Sequence, residues 1–375
     1  MDNVSGAISQ IMMDNAANGC GCAYCQNGRE HNEGAFNDAV QLKDLAVLSG
    51  GGGSVTPATI GVNNAAELIH GNEWGVGGGT AVNLTYSFIT SVPSYYPSDA
   101  QEQMNFSVFT PEMQNAVRSV LSDMSTFTNV TFTEVSGVGD LTYGQAYLTT
   151  DLSNPLAWGY YPDQSGFSGD VWFNNRYNFS PWMDQGEEGY FVALHETGHA
   201  MGLMHSFDAG LSGAENTEQF TVMAYDIGPW DNISAQSFML YDMAALQAIY
   251  GVNTSFNSGD TTYTLDPDAA YSVWDGGGND TFDSTGFSGD VIIHLEEGGF
   301  SSVGLTNNIA IAYGAVIENA KTGGGNDIIY GNASNNVLDG GAGDDVLIGG
   351  AGDDTYVFSL GDGYNTITDT SGYDI

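Results

Sequence analysis

Between residues 82 and 88 apolar and polar side chains alternate: Val82, Leu84, Tyr86 and Phe88 are separated by Asn83, Thr85 and Ser87. A period of two predicts a half-buried strand. Thr110-Pro111-Glu112 then opens a helix, with an N-cap residue ahead of proline at the first helical position. Met113, Val117, Val120, Leu121 and Met124 give that helix one apolar face. Val130 and Phe132 predict the next strand, Leu141–Leu148 another, and Asp170–Asn175 a further strand between loops. Helical spacing returns over roughly 187–201 and again over 237–250, where Met239, Met243, Leu246 and Tyr250 share a face and Gly251 is a natural C-cap. A short amphipathic helix through Ile8, Ile11, Met12 and Ala16 is expected over 7–17. Mixed strands followed by helices predict a twisted sheet with helices packed behind it.

From about residue 252 the texture changes to short strands and glycine turns. Over 322–357 a nine-residue period puts Ile329, Leu338, Leu347 and Tyr356 in one apolar position and Asp327, Asn336, Asp345 and Asp354 in one acidic position. Glycines precede the acid: Gly323 and Gly325, Gly341 and Gly343, Gly350 and Gly352, with a degenerate copy at Asn332–Asn336 between them. A lone copy lies upstream, with Gly276, Gly278 and Asp280 ahead of Phe282. This is the calcium-binding nonapeptide of a parallel β-roll. Glycines free carbonyl oxygens to point at a hard cation, the aspartate adds a carboxylate, and several Ca²⁺ ions are expected. At the other end, residues 1–58 hold all the cysteines and close on Ser49-Gly50-Gly51-Gly52-Gly53-Ser54 and Pro57, a run that is flexible and easily cut. The chain therefore divides into a leading segment 1–58, a globular domain 59–251 and a roll 252–375.

Charge narrows the setting. There are 46 acidic residues against 5 basic ones (Arg29, Lys43, Arg118, Arg176 and Lys321), a formal charge of −41. Such a surface repels nucleic acid and anionic membranes, and it suits calcium binding or a salty medium. No stretch approaches the roughly 20 apolar residues of a membrane span. Met1–Ser5 offers neither a basic nor an apolar signal region, so a Sec signal is not expected and any export address lies elsewhere.

The chemistry concentrates in His195-Glu196-Thr197-Gly198-His199-Ala200-Met201-Gly202-Leu203-Met204-His205. His195 and His199 are four apart, one helical turn, so both rings can grip one Zn²⁺. Gly202 lets the chain turn sharply and return His205 as a third ligand. Three protein ligands leave the fourth position open, the arrangement of a catalytic zinc. Glu196 can reach water there as general base without binding the metal. The thiols of Cys20, Cys22 and Cys25 are candidate zinc ligands that would close the site. Their spacing also fits a local disulfide with one cysteine left over, or other metal binding. His31, His70 and His294 lack ligand-spaced partners and read as surface or core residues.

The long zinc motif, the turn Phe220–Asp226 with its methionine, and the glycine-aspartate repeat together resemble the serralysins, secreted bacterial metalloproteases of the metzincin clan, peptidase family M10. The resemblance runs from about residue 60 to the end and includes Val82–Phe88, Val273–Gly277 and Val316–Ala320. It implies an α+β metzincin catalytic domain, a mixed twisted sheet with the zinc-binding helix, followed by an all-β parallel β-roll. It also implies one zinc, several calcium ions, Met223 as an apolar floor under the zinc, and Tyr225 as a resting-state zinc ligand that swings to the reaction intermediate. The expected activity is hydrolysis of peptide bonds in extracellular proteins by a monomer exported through a type I route. Three features depart from the family. Ser206 follows His205 where serralysins usually carry proline; the leading segment is longer; and the chain stops at Ile375 in what reads as an unfinished roll, as a C-terminally truncated chain would. Trp172 falls where matrix metalloproteinases carry a histidine for a second, structural zinc, so that zinc is not expected. Cys20-Gly21 is partly similar to the cysteine switch of those enzymes, without its flanking proline and arginine, and implies a latent zymogen. The strand at 170–175 is the expected sheet edge for an extended substrate. The competing reading is a calcium-loaded adhesin or surface-layer protein with an inactive protease-like domain, which has no need of Glu196 between intact ligands.

Overall fold

The computed structural model describes residues 62–149, 155–162, 166–230 and 233–375; the helix expected over 7–17, His31 and the glycine-serine run lie outside them. The first half contains helix α1 (Val62–Glu67), strand β1 (Val82–Phe88), helix α2 (Pro111–Phe127), strands β2 (Val130–Glu134), β3 (Leu141–Ala146), β4 (Ala157–Gly159) and β5 (Asp170–Asn174), then helices α3 (Glu188–Ala200) and α4 (Leu240–Tyr250). The five strands form one sheet in the order β2-β1-β3-β5-β4. All neighbours are parallel except β4 and β5, which run antiparallel with Ala157 opposite Phe173 and Gly159 opposite Val171. The expectation that 170–175 forms the sheet edge is therefore corrected: β5 is paired on both sides, and β4 is the edge. The three residues of β4 were too few to register as an alternating pattern.

Helix α2 starts where its sequence predicts, with the Thr110 Oγ1 accepting from the Met113 amide at 3.4 Å. Met113, Val117, Val120, Leu121 and Met124 are all buried. Removing five such side chains from water favours the fold by on the order of 10 kcal/mol before entropy is counted. Helix α4 departs from a one-faced helix. Asp242 and Gln247 are buried alongside the apolar residues, so hydrophobicity loses its period there. It starts at Leu240 because Asp242 Oδ2 accepts from the Met239 amide at 2.9 Å, and it stops at Gly251, φ 79°.

The second half is a roll of two facing parallel sheets. One holds β6 (Thr262–Thr264), β8 (Thr281–Asp283), β12 (Asn319–Lys321), β14 (Val337–Asp339) and β16 (Thr355–Val357); the other holds β9 (Ile292–His294), β13 (Ile328–Tyr330), β15 (Val346–Ile348) and β17 (Thr366–Thr368). Ile329 pairs with Leu347 in one sheet and Leu338 with Tyr356 in the other. Successive nonapeptides thus fall on opposite sheets, and a full turn takes two of them. Strands β7 (Tyr271–Val273), β10 (Phe300–Ser301) and β11 (Ile309–Ile311) form a third sheet. Residues in and beside this sheet face the first half: the Gln236 amide donates to Ala270 O at 2.8 Å, the Phe220 and Phe300 rings lie 5.0 Å apart, and Trp230 Nε1 donates to Thr306 O at 2.9 Å. One buried apolar cluster runs from Ala65 to Tyr356 across both halves.

Candidate metal centre

Helix α3 is buried on nearly all sides from Gly189 to Ala200. Its end is set by Gly202 (φ 99°), where a Cβ would lie 2.7 Å from Asn72 O. The Leu203 amide donates back to Gly198 O at 2.9 Å, and the chain reverses. His70 N donates to Gly202 O and Met204 N to Leu68 O, so the segment after α1 is stitched to this reversal.

The reversal brings His195, His199 and His205 together, each with at most 3% of its surface exposed. One ligand nitrogen from each lies within 4.8 Å of the others. The opposite nitrogens are anchored: His195 Nδ1 on Val222 O at 2.7 Å, His199 Nδ1 on Leu203 O at 2.7 Å, His205 Nδ1 on Asp208 Oδ2 at 3.3 Å. A ring whose Nδ1–H donates to an oxygen keeps its Nε2 lone pair for a metal. His199 Nε2 and His205 Nε2 are 3.1 Å apart. Burial holds all three rings neutral, pushing His195 down to about 4 and the other two well below their usual value. Three neutral imidazoles converging without intervening protons fit one borderline cation with an open side, which is the donor set of catalytic zinc.

Glu196 is 6% exposed, and its Oε2 has no partner. Burial pushes its pKa up to about 8, against the pull of the Gly159 backbone amide. A Cβ on Gly159 would sit 2.5 Å from Glu196 O, so glycine is what lets β4 lie against α3. The Tyr225 hydroxyl is 2.9 Å from His205 Nε2. Met223 is fully buried, its sulfur 2.6 Å from where a Cβ on Gly198 would stand. Ser206, in the place of the expected proline, ties the third histidine to this turn: its amide donates to Met223 O at 3.2 Å, and its Oγ donates to Asn216 Oδ1 at 2.6 Å. Proline has no amide hydrogen for the first of these.

Several contributors escaped the sequence. Asp242 of α4 holds the methionine turn, accepting from Thr221 Oγ1 at 2.6 Å and the Val222 amide at 2.7 Å. Phe207 stacks on His205 with ring centroids 4.8 Å apart, and lies 5.1 Å from the Tyr225 ring. His70 stacks on Tyr161 at 3.9 Å, and Tyr161 meets His199 edge-on at 5.4 Å. Only Asp208, three residues beyond His205, left a local signal. His294 takes no part; its Nδ1 pairs with Glu296 at 2.7 Å. Cys20, Cys22 and Cys25 lie outside the described residues.

In the roll, Asp280, Asp327, Asp345 and Asp354 are all buried, and the Oδ2 of each has no partner. Their Oδ1 atoms accept from the backbone amides of Thr261 (2.7 Å), Val291 (2.9 Å), Asp327 (3.0 Å) and Asn336 (2.8 Å), linking successive turns. Burial raises all four pKa values, Asp280 to about 6. Gly325, Gly341, Gly343, Gly350 and Gly352 have φ between 70° and 145°. Gly278 has φ 158°, and a Cβ on Gly276, Gly278 or Gly323 would meet backbone of the preceding turn. Buried carboxylate oxygens without partners, beside close-packed carbonyls, fit a hard oxygen-seeking cation such as Ca²⁺. Asn336 of the degenerate copy occupies the same position with an amide, its Oδ1 accepting from the Asn332 amide at 3.0 Å.

Comparison with known proteins covers both halves. A family model described as peptidase M10 serralysin C terminal matches residues 241–372, and one described as metallo-peptidase family M12 matches residues 59–238. Serralysin B of Dickeya chrysanthemi is 34% identical over 67% of this chain and 59% of its own length. Metallopeptidase AprA of Pseudomonas marginalis is 34% identical over 68% of this chain and 61% of its own. A serralysin C of Dickeya chrysanthemi is 37% identical over 67% and 59%. The chain spans about three-fifths of the length of these relatives.

Proposed function

The chain is one of the serralysin-like M10 metalloproteases, a group that uses zinc and calcium, and from that premise we propose that it is a zinc-dependent endopeptidase acting on extracellular proteins. The observation that carries the proposal is the convergence of three anchored, neutral histidines beside Glu196, whose buried Oε2 has no other partner. His195, His199 and His205 would hold the metal. Zinc, when bound, supplies a Lewis acid that polarises a carbonyl and acidifies water. Glu196 would take the proton from the attacking water and pass it to the leaving amine. The Tyr225 phenol, beside His205, would donate to the oxygen that gains charge. Met223 would keep the floor of the site dry and packed.

An extended substrate would add to β4. Leu156 O and Tyr160 N bond to β5, so antiparallel alternation turns the backbone groups of Ala157 and Gly159 away from it. Secretion fits a roll whose acidic turns need calcium, since weak calcium sites fill in extracellular fluid. Residues 1–58 would act as a removable prosegment, with a thiolate from Cys20, Cys22 or Cys25 closing the metal site before cleavage. Leu68 and His70 bond the loop between His199 and His205, so the segment after α1 lies beside the centre. Replacing all three cysteines with serine should then abolish latency; a precursor that stays latent rejects the switch.

The decisive test of the peptidase reading is Glu196→Ala. Zinc content by metal analysis should stay at one ion per chain while casein hydrolysis falls by at least roughly 10²–10⁴-fold. Undiminished cleavage would reject the mechanism. Adhesion without cleavage in the parent chain would favour the binding-protein reading.

A further inference from the structure

Two residues that immediately follow members of the metal centre are tied to each other through a third. Ser206 follows His205, and Asp226 follows Tyr225. Asn216 lies between them: Ser206 Oγ donates to Asn216 Oδ1 at 2.6 Å, and Asn216 Nδ2 donates to Asp226 Oδ2 at 3.2 Å. The direction of this link is fixed at its far end. A carboxylate accepts and does not donate, so the amide nitrogen of Asn216 faces Asp226 and its carbonyl oxygen is left for the serine. The serine hydroxyl has one hydrogen to give. Asn216 Oδ1 is nearer than Met223 O, which lies at 3.3 Å and already accepts from the Ser206 amide.

The backbone strengthens the link. The Glu218 amide donates to Asp226 O at 2.9 Å, and Thr217 pairs with Asp226 as a parallel bridge. Residues 216–218 therefore hold Asp226 by main chain and side chain together. At the other end Ser206 is fully buried, and its carbonyl accepts from the Leu211 amide at 2.9 Å. The anchored end is thus the segment of the third histidine, and the restrained end is the segment of Tyr225.

That second segment needs a restraint. Val222, Met223 and Ala224 are fully buried and held by packing, whereas Asp226 and Ile227 are exposed. Tyr225 stands at the boundary, and its hydroxyl reaches His205 Nε2 at 2.9 Å. The hydroxyl lies at the tip of a long rigid side chain, so a small shift of the backbone at 225–226 becomes a larger one at the metal centre. Phe207 borders the Tyr225 ring at 5.1 Å and supplies packing, but its side chain has no hydrogen bond to give direction. Proline after the third histidine could not make the link, since it has neither a hydroxyl nor an amide hydrogen.

We propose, on the peptidase reading and the role it gives Tyr225, that Asn216 is a positioning residue: with Ser206 and Asp226 it braces the segment of Tyr225 against that of His205 and holds the phenol at the metal centre.

The test uses the full chain with Cys20, Cys22 and Cys25 replaced by serine, so that no thiol competes for the metal. Asn216→Leu keeps the approximate shape and loses both hydrogen bonds. With zinc bound it should lower kcat on casein about ten- to a hundredfold and leave KM within about twofold, the pattern of an interaction made in the transition state. With Cu²⁺ in place of zinc, the parent should show tyrosine-to-copper charge-transfer absorption that is lost in Tyr225→Phe and weakened in Asn216→Leu at equal copper content. In a Tyr225→Phe background Asn216→Leu should cost little more, because both act through one phenol. Asn216→Asp sets two carboxylates together and should behave as Asn216→Leu does. Adding Asp226→Asn restores an amide–carboxylate bond in the reverse direction and should recover both kcat and the absorption. Full additivity with Tyr225→Phe, or copper absorption indifferent to Asn216→Leu, would overturn the brace. So would a reversed pair that regains the parent's melting temperature without its absorption. A parent that binds zinc and leaves casein intact would reject the peptidase reading instead, and the copper spectra would still decide for or against the brace.

Discussion

The imidazoles of the metal centre are oriented by atoms that no ligand motif contains. His205 Nδ1 rests on Asp208, a half-exposed side chain, whereas His195 and His199 rest on backbone carbonyls. Only the His205 anchor can be removed by substitution. Asp208→Ala should weaken zinc binding by roughly 10–100-fold, read by competition with a chelator, while leaving the thermal transition nearly unchanged. Gly159 makes the opposite kind of prediction. A methyl group there meets Glu196 O at 2.5 Å, so Gly159→Ala should push β4 off α3, raise KM and lower kcat, and leave zinc content intact. The grouping of His195, His199 and His205 beside Glu196 was legible because helix spacing alone brings two rings together and one glycine returns the third. Phe207, Tyr161 and His70 were not, because ring stacking across the fold has no local spacing.

Among the elements, α4 does more than fill the core. Asp242 accepts from Thr221 Oγ1, Val222 N and Met239 N, and Val222 O in turn receives His195 Nδ1. The helix therefore positions His195 through one residue, Val222. Asp242→Ala would leave three donors unpartnered and should cost about 3 kcal/mol or more, with a parallel loss of zinc affinity; Asp242→Asn should recover part of both. A second buried acid ties strands to a loop. Asp170 of β5 accepts from Tyr95, Tyr96 and Thr142, yet burial raises its pKa from 3.8 to about 6. An acid whose folded pKa is raised contributes stability that is full below the unfolded value and is lost as pH rises through the folded value. Relative to Asp170→Asn, the parent should therefore lose on the order of 3 kcal/mol between about pH 4 and pH 6, and little beyond. Melting curves of both proteins across that range check the sign. The strand itself was legible from Val171 to Phe173, but its place inside the sheet was not. Strand order depends on pairing with β3 and β4, and β4 is only three residues long.

For the molecule as a whole, charge and the shared core pull against each other. A formal charge of −41 favours expansion, and each Ca²⁺ site held at a hundred times its Kd contributes about 2.7 kcal/mol to the folded state. Because the apolar cluster is continuous from Ala65 to Tyr356, loss of calcium from the roll should also destabilise the first half. Chelating calcium at low ionic strength should lower the melting temperature of both halves together and increase the radius of gyration, and monovalent salt should restore part of the compactness. Two separate transitions, with the first half unmoved, would show that the shared core does not couple them.

The amino-acid sequence by itself determined what local spacing can carry. Rings four residues apart meet on a helix, a glycine ends it, and a nine-residue period repeats one turn chemistry. The tertiary structure decided which oxygens hold the ring nitrogens, which strand is the edge, that two nonapeptides complete one turn, and that Asn216 meets Ser206 and Asp226. Those are contacts between residues brought together only when sheets pair and helices pack. Their geometry depends on strand register and close packing, which leave no period along the chain.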